Sequence, residues 1–465
     1  MQKTIQQKLG SPVTMKSAVY RATAVMFVIQ LFGALGAGFI FVTSNILGIK
    51  VPVGNDFWQI FLHICFWATD FAFVGFTLVL AYLIAGIPAI APALTLSLFY
   101  SHFAGLYGGG QMTIPLYSDF FVPPSDGAGG WNIGYIGFLF IALGIGYGIR
   151  GLYTLWNHIK NTGSPKIDKH LNKIGKLKDF KSIGVLEGVD LIVLILILPV
   201  ITALVTYFAV QYLVAEPFKA LGETLEPVMT ELFASGKNLG GGLLMGLLVG
   251  ADTIGPLSMS AFRAATAATV DGNAIPMTAY ALAFASTGWT CFIAFLMCKI
   301  FKRGGKMDAD DLNITVSGPI NVLFDNMKLT VAFGMPFAYR SPFSAIPGTI
   351  VTCVITAGLA CAAGLANALY TTQEYVDKFV AGDYYVSFAQ PHLKLAGNNN
   401  HPLLTLAVIA GGVIAGAAVV VLIRELIAKA QKARGKYEET DGDIVLELRK
   451  HAGEREDEAK LSADS

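Results

Sequence analysis

The chain has 465 residues, of which 54% are hydrophobic and only 14% charged, with a formal net charge of +1 at pH 7. Such a chain is too apolar for a soluble enzyme and lacks the positive excess of a nucleic-acid-binding protein, so we expect no nucleic-acid partner. The composition is typical of a multi-span helical protein whose main partner is the lipid bilayer.

Long apolar runs follow one another, each predominantly apolar over more than the ~20 residues that an α-helix needs to cross a bilayer. They cover residues 19–42, 57–85, 133–156, 191–214, 277–300, 346–369 and 403–427. Lys and Arg cluster before the first run, in loops 160–181 and 299–306, and at 424–436. The positive-inside rule assigns these regions to the cytoplasm, and it assigns loops 108–130 and 373–400 to the outside.

These orientations predict about eight transmembrane helices, at about residues 19–46, 57–86, 89–107, 131–157, 184–214, 277–300, 343–371 and 402–428. Two segments do not fit as single transmembrane helices. Residues 239–270 must enter and leave on the same side, and residues 311–342 are too polar to face lipid. We therefore expect an all-α polytopic membrane protein with about eight transmembrane helices plus two re-entrant hairpins. The alternative is tilted helices with polar contacts between them.

The chain divides by pattern into three regions. Residues 1–183 form an N-terminal transmembrane half, residues 184–428 form a C-terminal transmembrane half that contains both hairpins, and residues 429–465 form a cytoplasmic tail. Broken, polar elements in one half of a transporter-sized chain point to solute binding near the bilayer midplane, within residues 184–428.

The first hairpin contains Gly250-Ala251-Asp252-Thr253-Ile254-Gly255-Pro256. An Asp at membrane depth is costly, so Asp252 is expected to face a cavity or a partner. The Gly-Pro step breaks the helix and frees backbone groups for a ligand or water. Arg263, eleven residues after Asp252, is a candidate partner across the turn. Two interpretations stay open: a substrate-facing bend, or a structural contact of the Asp with Arg or backbone.

The second hairpin ends in a proline-rich stretch. Pro336, Pro342 and Pro347 lie within a dozen residues, which excludes a continuous helix. Tyr339 and Arg340 at this break can hydrogen-bond a polyol or an anion. The alternative is that Arg340 extends to the cytoplasmic interface.

Three stretches in this order resemble the membrane-embedded IIC subunit of the fructose-type sugar phosphotransferase system (PTS). Residues 81–92 are similar to that family's Ala-Tyr-x-Ile-Ala-Asp-Arg-Pro-Gly-x-Ala-Pro stretch. Residues 252–258 resemble its Asp-x-Gly-Gly-Pro-x-Asn-Lys element. Pro336-Phe337-Ala338 through Pro342, with Ile346-Pro347, resembles its Ile-Pro-Phe-Ala-x-x-Asp-Pro-x-x-x-Ile-Pro element. Spacing and order agree from about residue 20 to residue 430.

The resemblance implies a permease that binds and translocates a small polar solute of the sugar or polyol class. It implies a homodimer with the N-terminal half at the dimer interface. We expect a multi-pass protein of the bacterial cytoplasmic membrane with no cofactor, and the Lys and Arg distribution places both termini in the cytoplasm. It implies solute binding at the two hairpins. The candidate substrate-binding residues are Asp252, Thr253, Gly255, Pro256, Ser258, Arg263, Pro336, Phe337, Tyr339 and Arg340.

The sequence departs from the family at chemically important positions. Gly86-Ile87 replaces Asp-Arg, and Ser258-Met259 replaces Asn-Lys. Where the family has a Thr-Glu-Gly carboxylate, residues 329–334 contain no acid. A carboxylate accepts strong hydrogen bonds from sugar hydroxyls and can act as a base, which valine and alanine cannot do.

The enzymatic status is therefore open. The chain has no IIA or IIB phosphorylation site in a soluble domain, so a phosphotransferase would need separate IIA and IIB proteins. The alternatives are a membrane sensor or regulator, and an uncoupled transporter, that kept the IIC fold without sugar phosphorylation.

Overall fold

The computed structural model describes residues 9, 13–41, 57–100, 133–162, 190–253, 255–304, 338–373, 376–377 and 392–434. Their regular structure is helical, with no β-strand in these ranges and one isolated bridge between Asn367 and Asn399. Five of these helical stretches are long and apolar enough to cross a membrane: Gly134–His158, Asp190–Ala234, Ile275–Phe301, Pro342–Ala362 and Pro402–Ala433. The prediction of an all-helical, membrane-embedded protein is confirmed, and the count of eight spans stays a prediction.

The chain divides into two compact units, which are described separately. Unit 1 consists of Met1–Ile29 and Asp70–Leu221, and unit 2 consists of Gln30–Thr69 and Gly222–Ser465. The helices in chain order are α1 (Met15–Phe41), α2 (Phe57–Ala85), α3 (Ile90–Phe99), α4 (Gly134–Thr162), α5 (Leu198–Val210), α6 (Glu216–Ala234), α7 (Asn238–Ala251), α8 (Pro256–Val270), α9 (Ile275–Phe301), α10 (Pro342–Ala362), α11 (His392–Gly397) and α12 (Pro402–Ala433). The boundaries expected at 183/184 and 428/429 stay predictions.

In unit 1, a buried carboxylate ties α4 to the start of the next helical stretch. Asp190 accepts hydrogen bonds from the Tyr153 hydroxyl at 3.0 Å and from the Trp156 indole nitrogen at 2.9 Å. A buried carboxylate needs such donors, because desolvation otherwise disfavours its charge. The two bonds fix Asp190 against α4.

The helical stretch Asp190–Ala234 runs for 45 residues, whereas the apolar pattern predicts a span that ends near residue 214. Two π-helical turns, Val193–Ile197 and Gln211–Ala215, interrupt it. Pro199 and Pro217 follow two residues after these turns. A proline lacks an N–H and clashes with the carbonyl four residues earlier, which in both cases lies inside a π turn. The wider turn accommodates that clash, so the helix continues past both prolines.

Unit 2 is built around α10, which packs directly against α7, α9 and α12 through small residues. On α7, Gly242, Gly246 and Gly250 face α10, and a Cβ at Gly250 would lie 2.8 Å from the Thr349 carbonyl oxygen. The α10 partners of these glycines run backwards from Ala357 to Thr349, so α7 and α10 are antiparallel. Small residues at this four-residue spacing allow the close backbone approach that is common between membrane helices.

α10 also packs closely against α12 and α9. Gly412 and Gly416 of α12 lie against α10, where Cβ atoms would meet Thr356 and Thr352. The Thr352 hydroxyl also hydrogen-bonds the Thr290 hydroxyl of α9 at 2.7 Å. One α10 side chain therefore contributes to both the α9 and the α12 interfaces.

The helices of unit 2 meet again at the two ends of α10. At the N-terminal end, called the Ser341 end, Arg424 Nη1 donates to Ser341 Oγ at 3.0 Å. At the C-terminal end, called the Asn367 end, the Asn367 N–H donates to Thr278 Oγ1 near the start of α9 at 2.9 Å. Thus α9 begins at the Asn367 end, and α12 approaches the Ser341 end with its last turns.

The glycine contacts of α7 yield a stability prediction. We expect Gly246→Ala to lower the thermal unfolding temperature, because its Cβ would lie 2.5 Å from the Val354 Cα. Overpacking of this kind costs about 1–3 kcal/mol. The matched control is Gly240→Ala on the same helix, where the nearest contact is 3.7 Å away, at a flexible Leu232 side chain. Scanning fluorimetry in detergent measures both. Equal unfolding temperatures for the two variants would contradict close α7–α10 packing.

Candidate functional site

The break between α7 and α8 is the candidate site. The Asp252 N–H still donates to the Leu248 carbonyl at 3.1 Å, but Asp252 leaves helical geometry with φ −146° and ψ 67°. Gly255 is the N-cap of α8, and Pro256 is its first residue. Proline fits this position because its missing N–H would be unpaired there, and it disfavours helical geometry in the residue before it. The Gly-Pro step therefore separates the two helices, as the sequence predicts.

The Asp252 carboxylate turns back over the N-terminus of α8. It is 2% exposed, and its Oδ2 accepts the Leu257 backbone N–H at 3.3 Å. A Cβ at Gly255 would collide with this carboxylate, so the turn requires glycine. Leu257 is the second residue of α8, whose amide is one of the unpaired donors at a helix start. The acceptor oxygen also lies at the positive end of the helix dipole, which favours an acceptor there.

Arg263 does not pair with Asp252, so this expectation is wrong. Its Nη1 lies 3.9 Å from Glu226 Oε2 of α6, and both side chains are about one-third exposed. Arg263 is six residues beyond Leu257, which places it about 9 Å farther along the axis of α8. The contact of Asp252 is instead the backbone one, which is the structural interpretation left open by the sequence. That contact does not decide whether Asp252 also binds a solute.

Four hydroxyl-bearing side chains surround the break. Ser258 Oγ lies 3.0 Å from the Tyr280 hydroxyl of α9, and both residues are buried. Thr349 Oγ1 of α10 lies 3.1 Å from the Gly250 carbonyl oxygen at the end of α7 and 2.9 Å from the Ile346 carbonyl oxygen of its own helix, so its one proton is shared between the two. Thr253 is also buried in the turn. Sequence patterns missed Tyr280 and Thr349, because both lie on other helices and only packing brings them to the break.

The depth of the break follows from the directions of the helices. With 14 and 15 residues, α7 and α8 are about 21 and 22 Å long, shorter than the ~30 Å hydrocarbon core. α7 starts beside the C-terminal part of α10. α8 returns to α9, which begins at the Asn367 end. Both far ends therefore lie toward the Asn367 end, and the break lies beside Thr349, within the length of α10.

The second predicted element is described only at its end. Pro336 and Phe337 lie outside the described residues. Tyr339 and Arg340 are both buried and lie in a short helical turn before Ser341. Thr349, the α10 contact of the first break, is eight residues after Ser341, about 12 Å along α10. The structure brings together Asp252, Thr253, Gly255, Pro256 and Ser258, and the described part of the second element lies at the Ser341 end.

The groups at the break are hydrogen-bonding groups: one carboxyl group, four hydroxyls and backbone amides at a helix start. Hydroxyl groups of a solute can donate to the carboxylate and accept from the hydroxyls. In the described ranges, no three His, Cys, Asp or Glu side chains come together as a metal site would need. The arrangement can therefore donate hydrogen bonds to a hydroxyl-bearing group and accept hydrogen bonds from it.

Comparisons with known proteins add no assignment. No protein-family model, no curated protein and no solved structure matches the chain. The function is therefore inferred from the residues and from their geometry.

The contact between Asp252 and α8 yields a prediction that separates hydrogen bonding from charge. We expect Asp252→Asn to unfold near the wild-type temperature, because the amide oxygen can still accept the Leu257 N–H. Asp252→Ala should be less stable by about 1 kcal/mol, the usual effect of removing a side-chain cap. Thermal unfolding of both variants in the same detergent measures the difference. If Asp252→Asn is as unstable as Asp252→Ala, the charge rather than the acceptor maintains the break.

Proposed function

We propose that the protein is a membrane permease of the fructose-type PTS IIC class, which binds and translocates a small polar solute of the sugar or polyol class. The observation that carries this proposal is the α7–α8 break, where a buried carboxylate lies between two helices too short to cross a bilayer. Irregular backbone at membrane depth is tolerated where it lines a cavity or is buried in protein, and in transporters it is where solutes bind.

In this proposal, α7 and α8 form the first of two re-entrant hairpins in a protein with about eight transmembrane helices. The far ends of both helices lie toward the Asn367 end, which is what a re-entrant hairpin requires. The short lengths of the two helices support the same topology. The second hairpin lies within residues 311–342, for which the support is the polar and proline-rich sequence.

Solute binding is proposed at Asp252, with Thr253, Ser258 and Tyr280 as neighbouring hydroxyl groups. The carboxylate is the strongest acceptor at the break, because hydrogen bonds to an ionised group are roughly twice as strong as neutral ones. On binding, the hydroxyl groups of the solute would exchange their hydrogen bonds to water for hydrogen bonds to these side chains. Tyr339 and Arg340 would contribute only if the second hairpin brings solute toward the Ser341 end.

The Ser341 end is proposed to face the cytoplasm of a bacterial cell, with both termini and the basic loops on that side. The exposed Lys302, Arg303 and Lys429 at this end follow the positive-inside rule. A homodimer through the N-terminal half, and separate IIA and IIB partners, belong to the same proposal and rest on the resemblance.

An uncoupled transporter is the second candidate, and one observation favours it over a phosphotransferase subunit. Residues 329–334 contain no carboxylate where the resembled family has one. Without a base near the hydroxyl that is phosphorylated, phosphoryl transfer loses a contribution of typically 10²–10⁴-fold. A sensor that binds the same solute without moving it is distinguished by the absence of uptake.

The binding proposal is tested with Asp252→Asn. A thermal-shift screen of sugars and polyols on the purified protein should identify a stabilising solute, and the variant should bind it roughly tenfold more weakly. The reason is that a neutral acceptor replaces a charged one, a difference of about 1–2 kcal/mol per hydrogen bond.

The matched control is Asp271→Asn, the same chemical change at an exposed position in the turn between α8 and α9. It should bind the solute as the wild type does. Wild-type affinity in a folded Asp252→Asn protein would limit Asp252 to its contact with Leu257. Uptake of the labelled solute into proteoliposomes then separates a permease from a sensor.

The coupling mode yields a separate prediction. We expect no phosphoenolpyruvate-dependent phosphorylation of fructose or mannitol by membranes that contain the protein, supplied with purified phosphocarriers and IIA and IIB proteins. A fructose-type permease assayed in parallel is the positive control. Formation of sugar phosphate that Asp325→Asn abolishes would contradict the prediction, and would identify Asp325 as the missing carboxylate.

A further inference from the structure

Two helices of unit 2 end in basic side chains at the Ser341 end. α9 contributes Lys299, Lys302 and Arg303, and α12 contributes Lys429, Lys432 and Arg434. All six residues are exposed, and together they are called the basic collar. None of these six residues belongs to the proposed solute site at the α7–α8 break.

The collar is held in place by a defined set of hydrogen bonds. The Gly304 N–H donates to Glu425 Oε2 at 2.7 Å, and Arg424 Nε donates to the Gly304 carbonyl at 3.0 Å. Arg424 also reaches Ser341, so the end of α9, the last turns of α12 and the start of α10 are joined. The basic end of α9 is therefore fixed beside the basic end of α12.

Backbone geometry points to the same fixed arrangement. Lys302 has φ +50°, the only positive φ of a non-glycine residue in the described ranges. A left-handed conformation is unfavourable for a residue with a Cβ and persists only where the surroundings hold it. Gly304 follows with φ +81°, where a Cβ would lie 2.7 Å from Cys298 Sγ. These two residues turn the chain sharply after α9 and leave Lys302 and Arg303 at the surface.

Among the residues that the structure describes, this end carries an excess of positive charge. Lys429 Nζ lies 3.5 Å from Glu425 Oε1, and the positive charge of Arg303 also attracts this carboxylate. Glu425 itself is tied to the Gly304 amide. One carboxylate thus lies among the six cations of the collar in the described part of this surface. The described cations outnumber this carboxylate, so the surface attracts anionic groups.

Large apolar side chains lie next to the cations and are exposed as well. Phe343 at the start of α10 is 80% exposed and Ile300 of α9 is 70% exposed, while Leu422 and Leu426 of α12 are more than half exposed. α12 has 32 residues, about 48 Å, so its basic last turns extend past a ~30 Å hydrocarbon core. Cations directly beyond exposed apolar side chains match the level of lipid phosphates, whereas a soluble acidic partner would leave the apolar groups unmatched.

We propose that the basic collar binds the headgroups of anionic phospholipids at the Ser341 end. The lipid phosphate would contact Arg303 and Lys429, with its acyl chains beside Ile300, Phe343 and Leu426. This inference depends on membrane embedding and not on the solute, so it stands or falls separately from the proposed transport function.

The test compares lipids that differ only in charge. The purified full-length protein in detergent is titrated with phosphatidylglycerol or with phosphatidylcholine of the same acyl chains, and thermal unfolding gives the apparent affinity. We expect phosphatidylglycerol to raise the unfolding temperature in a saturable way, and phosphatidylcholine to have little effect. Glycerol phosphate without acyl chains should not reproduce the shift, which distinguishes a lipid from a free phosphate.

Charge-removing variants locate the site. Arg303→Gln and Lys429→Gln should each weaken phosphatidylglycerol binding about fivefold, and the double variant about thirtyfold, since each cation near a membrane surface contributes about 1 kcal/mol. Lys432→Gln, which lies beyond Arg424 and Glu425, the two residues that bond Gly304, should also weaken it about fivefold. Lys237→Gln, an exposed cation before α7, is the matched control and should bind normally.

Three outcomes would overturn the proposal. One is equal stabilisation by the two lipids, and another is an equal shift with glycerol phosphate alone. The third is unchanged phosphatidylglycerol affinity in Lys432→Gln together with either Arg303→Gln or Lys429→Gln. If a single variant elutes as an aggregate, the remaining variants decide the question.

Discussion

The close contact of α10 with three neighbouring helices is the constraint on which the rest of unit 2 depends. Without a hydrophobic driving force between helices in lipid, association depends on packing and hydrogen bonds. The glycines of α7 and α12 allow direct backbone contact with α10. The Thr349 hydroxyl adds a polar contact to α7, and the Thr352 hydroxyl adds a hydrogen bond to α9. Because α7 is held along α10, the C-terminal end of α7 and Asp252 have a fixed position along α10.

The break at Asp252 combines a boundary between two helices with a buried acidic side chain. Its carboxylate accepts the Leu257 amide and so helps to start α8, while Ser258 joins the break to Tyr280 of α9. A group that is both a helix cap and a ligand acceptor would couple solute binding to the geometry of the hairpin. Desolvation disfavours a charge at this buried position, so an acidic side chain here is costly.

Local sequence signals predicted the parts of the fold that depend on local chemistry. The Gly255-Pro256 step correctly predicts where α7 and α8 separate, and the apolar runs correctly predict five long helices. The pairing of Arg263 with Asp252 was wrong, because sequence spacing does not reveal that α8 carries Arg263 toward Glu226. The continuation of the fifth span to Ala234 was also missed, because hydropathy cannot show that the π turn Gln211–Ala215 accommodates Pro217. Tyr280 and Thr349 reach the site only through tertiary packing.

The most direct test of the account is the membrane depth of the α7–α8 segment. Spin labels at the exposed positions Leu239, Leu247 and Val270 report depth through their accessibility to oxygen and to a water-soluble relaxation agent. The account predicts that 239 and 270 are shallow on the same side, and that 247 is about 12 Å deeper than 239, since eight helical residues separate the two. A label at 270 that lies near the opposite membrane surface, with depth changing in one direction from 239 to 270, would contradict the re-entrant hairpin and the site built on it.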